Sequence, residues 1–292
     1  MRLSISLLIT RCSLIAALFV LSSATAFAYP LHVKDARGKT VTIKSKPMRI
    51  VSLAPSNTEI LYALGLGGRV VGVTKYCDYP AEAKKKPKIG DMTVSAEAVV
   101  ALKPDLVLAH AFVNDAAIAQ LEKLGLTVFA IDPKTIGQVA RDIRTIGRIM
   151  ARPKTADTVA KRVEAAVASV KAACAKRPSR NVLVVVQANP LWVAGPKSFV
   201  DEMISLAHAK NVAHDARPGF VTFSKELAIS RNPDVIVTGI ESDLSYFGKS
   251  PEWRTTSAVK NKNIRVIKSD LIVRAGPRLA DGLRAIAKAL DY

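Results

Sequence analysis

Two segments of this chain place the same side chains in the same frame. Ser95–Leu108 reads SAEAVVALKPDLVL, and Ser224–Val237 reads SKELAISRNPDVIV. Each runs Ser, any residue, Glu, six positions, Pro-Asp and three aliphatics. Ser is a good helix N-cap, which puts Glu97 and Glu226 in the first turn of a helix. There the helix dipole favours an acid by roughly 0.3–1 kcal/mol. That effect accounts for an acid at the position. It does not account for a matched pair in a chain with 43 Lys+Arg against 24 Asp+Glu and a net charge of +19.

Other groups capable of chemistry do not converge. His32, His110, His208 and His214 are scattered, with no acid spaced as a catalytic partner and no pattern of zinc ligands. The sequence has no G-x-S-x-G elbow, no H-E-x-x-H, no C-x-x-C and no G-x-x-x-x-G-K-[ST] loop, so it reads as neither a hydrolase nor an ATPase. Outside the first 28 residues the cysteines are Cys77, in a loop, and Cys174, late in a helix; they read as two separate thiols. The positive charge favours acidic partners in general. Its densest run, Lys84-Lys85-Lys86, lacks interleaved aromatics and reads as a solvated loop, not a nucleic-acid surface.

The elements that must position these residues follow from periodicity. Arg2 and Arg11, the apolar run SLIAALFVLSSATAFA and the small-x-small end at Ala28 read as a secretory signal peptide over 1–28, cleaved after Ala28. The run is short for a membrane span of roughly 20 residues. Ile9-Thr10-Arg11 before Cys12 is a poor lipoprotein box, so a soluble chain in the periplasm is expected. A β-hairpin opens the mature chain. Strands RIVSLA, RVVGVT, DLVLAH and TVFAID then alternate with helices, the first capped by Ser56 or Asn57 with Glu59 in its first turn. Residues 135–176 break the rhythm with two helical stretches divided at Arg152-Pro153. The rhythm resumes with NVLVVVQ, DVIVTG and IRVIKS, with ANPLWVAGPKS and the stretch around ARPGF as loops. The expected fold is α/β: two doubly wound lobes with central parallel sheets, residues 29–152 and 177–292, joined by one long helix over 153–176 of about 35 Å.

RIVSLAPSNTEILYALGLGGRVVGVTKYCDYPAEA, SAEAVVALKPDLVLA and SDLIVRAGPRLADGL resemble the periplasmic binding proteins of ABC importers for cobalamin, iron-siderophores and haem, the cobalamin receptors most closely. The resemblance runs over nearly all of the mature chain. It implies the class III architecture, a monomer whose lobes face each other across a shallow cleft. It implies no enzymatic activity and no cofactor of its own. The bound ligand would be cobalamin or another cobalt or iron chelate. The partner would be a permease dimer with its ATPase subunits, and membrane contact would come only through that permease.

By resemblance Glu97 and Glu226 dock against arginines of the permease, one from each lobe. Tyr76, Trp192 and Phe220 fall where aromatics contact the ligand. Asp270 and Arg274 match polar residues at its edge, or form an ion pair. The chain departs from the cobalamin pattern at Asp91 and His110, where that pattern has Trp. His110 or Tyr76 would then be an axial metal ligand, or His110 a strand-end residue with no metal, so haem and ferric siderophores stand beside cobalamin as ligands.

Overall fold

The computed structural model describes residues 28–91 and 93–291. The leader expected over 1–28 therefore lies outside the described residues, apart from its last position. After the antiparallel hairpin β1 (Leu31–Lys34) and β2 (Thr40–Ile43), the chain builds β3 (Ile50–Ser52), α1 (Pro55–Ala63), β4 (Val70–Val73), α2 (Ala96–Ala101), β5 (Leu106–His110), α3 (Asp115–Lys123) and β6 (Val128–Ile131). The four strands after the hairpin form a parallel sheet in the order β4-β3-β5-β6.

Two helices follow, α4 (Ile136–Ile149) and α5 (Pro153–Cys174). The second half contains β7 (Asn181–Gln187), β8 (Trp192–Ala194), α6 (Phe199–Leu206), β9 (Lys210–Asn211), β10 (Phe220–Thr222), α7 (Lys225–Ser230) and β11 (Val235–Thr238). It closes with α8 (Ser242–Lys249), α9 (Ser257–Lys260), β12 (Ile264–Val266), α10 (Ser269–Val273) and α11 (Leu279–Ala289). Its sheet is parallel across β7, β11 and β12, with β9 beside the start of β7.

Three local expectations are corrected. The stretches read as loops around Trp192 and Phe220 are the short strands β8 and β10, paired antiparallel to each other and to β7, so the second sheet is mixed. Three-residue strands flanked by Gly and Pro carry too little periodicity to be read locally. Neither Ser56 nor Asn57 caps α1: Ala54 is the N-cap and Pro55 opens the helix. Proline suits that place because its missing N–H would be unpaired there anyway. Ser56, Asn57 and Glu59 are instead buried within the helix.

Strand alternation divides the core. Leu106, Leu108, Phe129 and Ile131 face one cluster, and Val107, Ala109, Val128 and Ala130 face another. In the second lobe Val182, Val184, Val235 and Val237 face the first of these clusters, whereas Leu183, Val185 and Ile236 face a third. The inner faces of both sheets thus share one continuous apolar core, and α5 runs through it. Its buried stripe is Ala156, Val159, Ala160, Val163, Ala166 and Val170, at helical spacing. At Gly147 of α4 a β-carbon would come within 2.1 Å of the Ala156 β-carbon, so the two helices cross at backbone contact. The thiols Cys77 and Cys174 are both free and buried.

A second tie joins the lobes on the polar side. Glu59 of α1, with 2% of its side chain exposed, accepts hydrogen bonds from Arg278 Nε at 2.9 Å and Nη2 at 2.5 Å. Arg274 Nη1 reaches Glu59 at 3.3 Å and Asp78 at 2.7 Å, and its Nη2 pairs with Asp270 at 2.9 Å. The Arg278 guanidinium also lies 3.8 Å over the Tyr79 ring. Glu59, Asp78 and Tyr79 come from the first lobe and both arginines from the second. Removing the carboxylate strands two mostly buried cations, which costs roughly 3 kcal/mol or more. Glu59→Gln should therefore lower unfolding stability in urea by about that amount. A loss well below 1 kcal/mol would mean that Asp78 and Asp270 satisfy both arginines by themselves.

Candidate functional site

In an open parallel sheet the carboxyl ends of the strands are where ligands bind. Large apolar side chains that escape burial gather there in both lobes. Tyr76 follows β4 and is 46% exposed, Phe112 follows β5 and is 81% exposed, and Trp192 opens β8 at 41%. Val113 after β5, Ile240 after β11 and Val273 after β12 are exposed as well. The two edges meet: Arg274, in the turn after α10, donates from Nη2 to the Tyr76 carbonyl at 3.4 Å.

The structure places the expected ligand residues unequally. Trp192 and Thr222 are register partners, as are Ala194 and Phe220, so Trp192 and Phe220 share one face of the β8–β10 pair. Phe220 is half-buried, packed edge-to-face on Phe199 with centroids 5.9 Å apart. Tyr76, Asp270 and Arg274 are brought together. Arg274 has 13% of its side chain exposed and is engaged by Glu59, Asp78 and Asp270, so the ion-pair reading of Asp270 and Arg274 describes its observed contacts. Burial would raise the Asp78 carboxyl, but the hydrogen bond and charge of Arg274 outweigh it and hold the group below its ordinary value. Cys77, next to Tyr76, points inward, its Sγ 3.2 Å from Thr74 Oγ1. Asp91 lies 3.7 Å from Lys75 Nζ, beside the Tyr76 loop.

His110 has a separate set of partners. Its Nε2 is 3.6 Å from Asp132 Oδ1, and its Nδ1 is buried with no hydrogen-bond partner. Burial holds the imidazole below its ordinary value; Asp132 opposes this and Lys134 adds to it. Burial thus favours the neutral ring, and Lys134 bridges to Asp132 at 2.6 Å and lies 5.9 Å over the Phe112 ring. In this rotamer Nδ1 is closed off from solvent, while Nε2 faces the Asp132 carboxylate. Among the described residues no group of three or more His, Cys, Asp and Glu side chains could hold a metal ion.

The repeat is reproduced in three dimensions. Ser95 Oγ accepts from the Ala98 N–H at 3.2 Å and donates to Glu97 at 3.1 Å; Ser224 Oγ accepts from the Leu227 N–H at 3.0 Å and donates to Glu226 at 2.9 Å. Lys103 and Asn232 both take positive φ, 46° and 48°. Asp105 accepts the N–H groups of Met48 and Arg49 before β3, and Asp234 accepts that of Asn181 at the start of β7. The Pro-Asp end of the repeat is therefore structural, clamping the neighbouring strand. The glutamates are not used in this way. Both are exposed, and among the described residues neither forms an ion pair within 4 Å. As connections between parallel strands, α2 and α7 begin at the carboxyl edge, so both glutamates sit on the rim of the site.

Sequence reasoning assigned no role in the site to Arg278 or Phe112, and read Glu59 only as a helix acid. The signal for Phe112 was an aromatic just past a strand end. Glu59 gave none, because its partners lie more than two hundred positions away.

In α4 the Asp142 carboxyl is pushed up to about 6 by burial, with Arg141 opposing and Asp132 adding to the rise. A folded value above the ordinary 3.8 means that the native state holds the proton more tightly. Stability therefore falls as pH rises from about 4 to about 6. Asp142→Asn should be more stable than the parent by about 2–3 kcal/mol near pH 7 and equal to it below about pH 4 in urea titrations. A gain of the same size at both pH values would show that packing, not ionisation, is responsible.

The Periplasmic binding protein family matches residues 50–271. An uncharacterized ABC transporter substrate-binding lipoprotein of Bacillus subtilis is 38% identical over 270 residues, covering 90% of this chain and 86% of its own. The periplasmic vitamin B12 binding protein BtuF of Vibrio cholerae has a similar structure, with a TM-score of 0.77 and 27% identity over 84% of this chain and 97% of its own. The periplasmic heme-binding protein RhuT from Roseiflexus sp. RS-1 gives a TM-score of 0.73 and 30% identity, over 82% of this chain and 97% of its own. The present chain belongs to the Periplasmic binding protein family, and with it to the substrate-binding components of ABC transporters that work outside the cytoplasm.

Proposed function

We propose that this protein captures a metal-chelate ligand, a corrinoid foremost, between its lobes in the periplasm and delivers it to an ABC permease dimer with ATPase subunits. The observation that carries this reading is the exposure of Tyr76, Phe112 and Trp192 at strand ends of both lobes, where solvent-facing aromatics have no role in the core. A rigid macrocycle buries such rings at little ordering cost, since lobes already tied by α5 and by Glu59 lose little freedom on binding. The relative named for vitamin B12 supports the corrinoid. No step of catalysis is needed; the partner ATPase would supply the energy of transport.

A second reading, haem or a ferric siderophore, is favoured by Asp91 and His110, which remove two indole faces, and by the heme-binding relative. Tyr76 is exposed, and on this reading its phenol or the His110 ring would meet the metal. Phe220, Asp270 and Arg274 would frame the ligand in either case, Arg274 through the charge it shares with Asp270. The leader would be cleaved after Ala28, leaving a monomer with no metal of its own and no affinity for nucleic acid.

Glu97 and Glu226 are the proposed docking contacts. An exposed, unpaired carboxylate on each lobe suits bidentate pairing with arginines of a two-fold permease.

Two measurements test these assignments. In the purified mature protein, cyanocobalamin, haemin and a ferric hydroxamate are titrated in parallel against tryptophan fluorescence at physiological salt. Trp192, exposed at the strand ends, is the reporter, and the Trp192→Phe variant gives the background from buried Trp253. Submicromolar quenching by cobalamin is expected; quenching by haemin or the hydroxamate alone selects the second reading, and no response to any of the three sinks both. In cells, the Glu97→Ala, Glu226→Ala double variant should bind its ligand as the parent does while uptake falls by more than about tenfold, or about 1.4 kcal/mol of lost docking. Normal uptake would refute the docking role.

A further inference from the structure

We propose that the recess between α1, α5 and α11 is a second binding site, for a small amphipathic monocarboxylate. The recess measures ≈ 540 Å³, within the range of about 300–1,000 Å³ typical of ligand pockets. It is not the strand-end site: Tyr76, Phe112, Trp192 and Phe220 are absent from its lining. Glu59 and Arg278 of its lining also belong to the latch between the lobes.

Its lining has the two halves that such a ligand needs. Tyr62, Tyr79 and Val159, with neighbouring Ala and Pro residues, form an apolar floor. Three guanidinium groups border it. Arg278 is fixed, held by Glu59 and stacked on Tyr79. Arg284 pairs with Asp281 at 3.1 Å while remaining half exposed. Arg162 lies three residues along α5 from Val159, on the same face, and among the described residues it has no ion-pair partner. An exposed cation poised over an apolar floor is a receptor for one negative charge carried by an apolar body. The charge class follows from the acids. Glu59 and Asp281 stand in the same lining, so a doubly charged anion meets repulsion that a single carboxylate at Arg162 avoids. Because α1, α5 and α11 come from the first lobe, the connecting helix and the second lobe, an occupant would touch all three.

The probe is benzoate, with benzyl alcohol as its uncharged counterpart. Both are titrated to millimolar concentration at constant ionic strength into the isotope-labelled mature chain, reading assigned backbone amides. Benzoate should give saturable shifts at residues 62–63, 159–162 and 277–284, and benzyl alcohol should give none there. Arg162→Gln, an exposed change that the fold tolerates, should weaken benzoate by about tenfold and leave the chelate titration of Trp192 unchanged. Shifts at Tyr76, Phe112 and Trp192 instead, shifts that do not saturate, equal binding of benzyl alcohol, or an unaltered affinity in Arg162→Gln would each overturn the proposal. The Trp192 arm keeps this result separate from the identity of the cleft ligand.

Discussion

A carboxylate that is almost wholly withdrawn from water must find its compensation inside the protein. Glu59 finds it in Arg274 and Arg278. Taking each ion out of water costs several kcal/mol, and only close, hydrogen-bonded opposite charges return it. The compensating groups sit on the other lobe, so neither half of the chain can bury its charges alone. The latch also sets the neighbouring surface: Arg274 takes the Tyr76 carbonyl and Asp78, and Arg278 takes the face of Tyr79. The loop that carries the exposed Tyr76 ring is thereby fixed by residues of the opposite lobe. With α5 threading the shared apolar core on one side and the latch on the other, the lobes are tied at two separated places. A hinge of that kind leaves room for small adjustments and little for wide closure.

The duplication gains meaning from the same geometry. In each lobe a capped helix, a left-handed turn and an aspartate lead into a central strand, and the aspartate clamps the start of the strand beside it. This explains Ser, Pro and Asp in both copies by local physics. The glutamate is the residue left over. Among the described residues no side chain binds it beyond its own capping serine, although the chain is rich in cations that could have paired with it. A group that the fold positions and then leaves unpaired is available to something outside the fold.

The parts of this structure that were legible in the sequence were those with local causes. Periodicity found β3 to β7, β11 and β12, and the helix over Pro153–Cys174 ended within two residues of its expected stop at 176. Ser95 and Ser224 capped as their type and place required. The illegible parts have short or distant causes. β8 and β10 are three residues each, too short to carry a period, and β10 pairs with β8 across nearly thirty positions. Ser56 and Asn57 have cap-forming side chains, but Pro55 takes the first helical position ahead of them. Glu59 looked like an ordinary helix acid because its arginines arrive only after the whole second lobe has folded. Arg274 was noticed as a polar residue of the site; its role in holding the lobes depends on the Glu59 contact, which no spacing rule could supply.

The aromatic residues weigh differently from the histidine. Tyr76, Phe112 and Trp192 hold exposed positions on an otherwise well-packed molecule, and each forgoes roughly 1–2 kcal/mol that burying its remaining exposed surface would return. That free energy remains available for a ligand with large flat faces, whatever metal it carries. His110, by contrast, is partly withdrawn from solvent, which favours its neutral form, with Asp132 at one ring nitrogen. Binding a metal through that nitrogen would give up the contact with Asp132. On the proposed reading, recognition therefore rests first on the apolar faces of the chelate and only second on its metal.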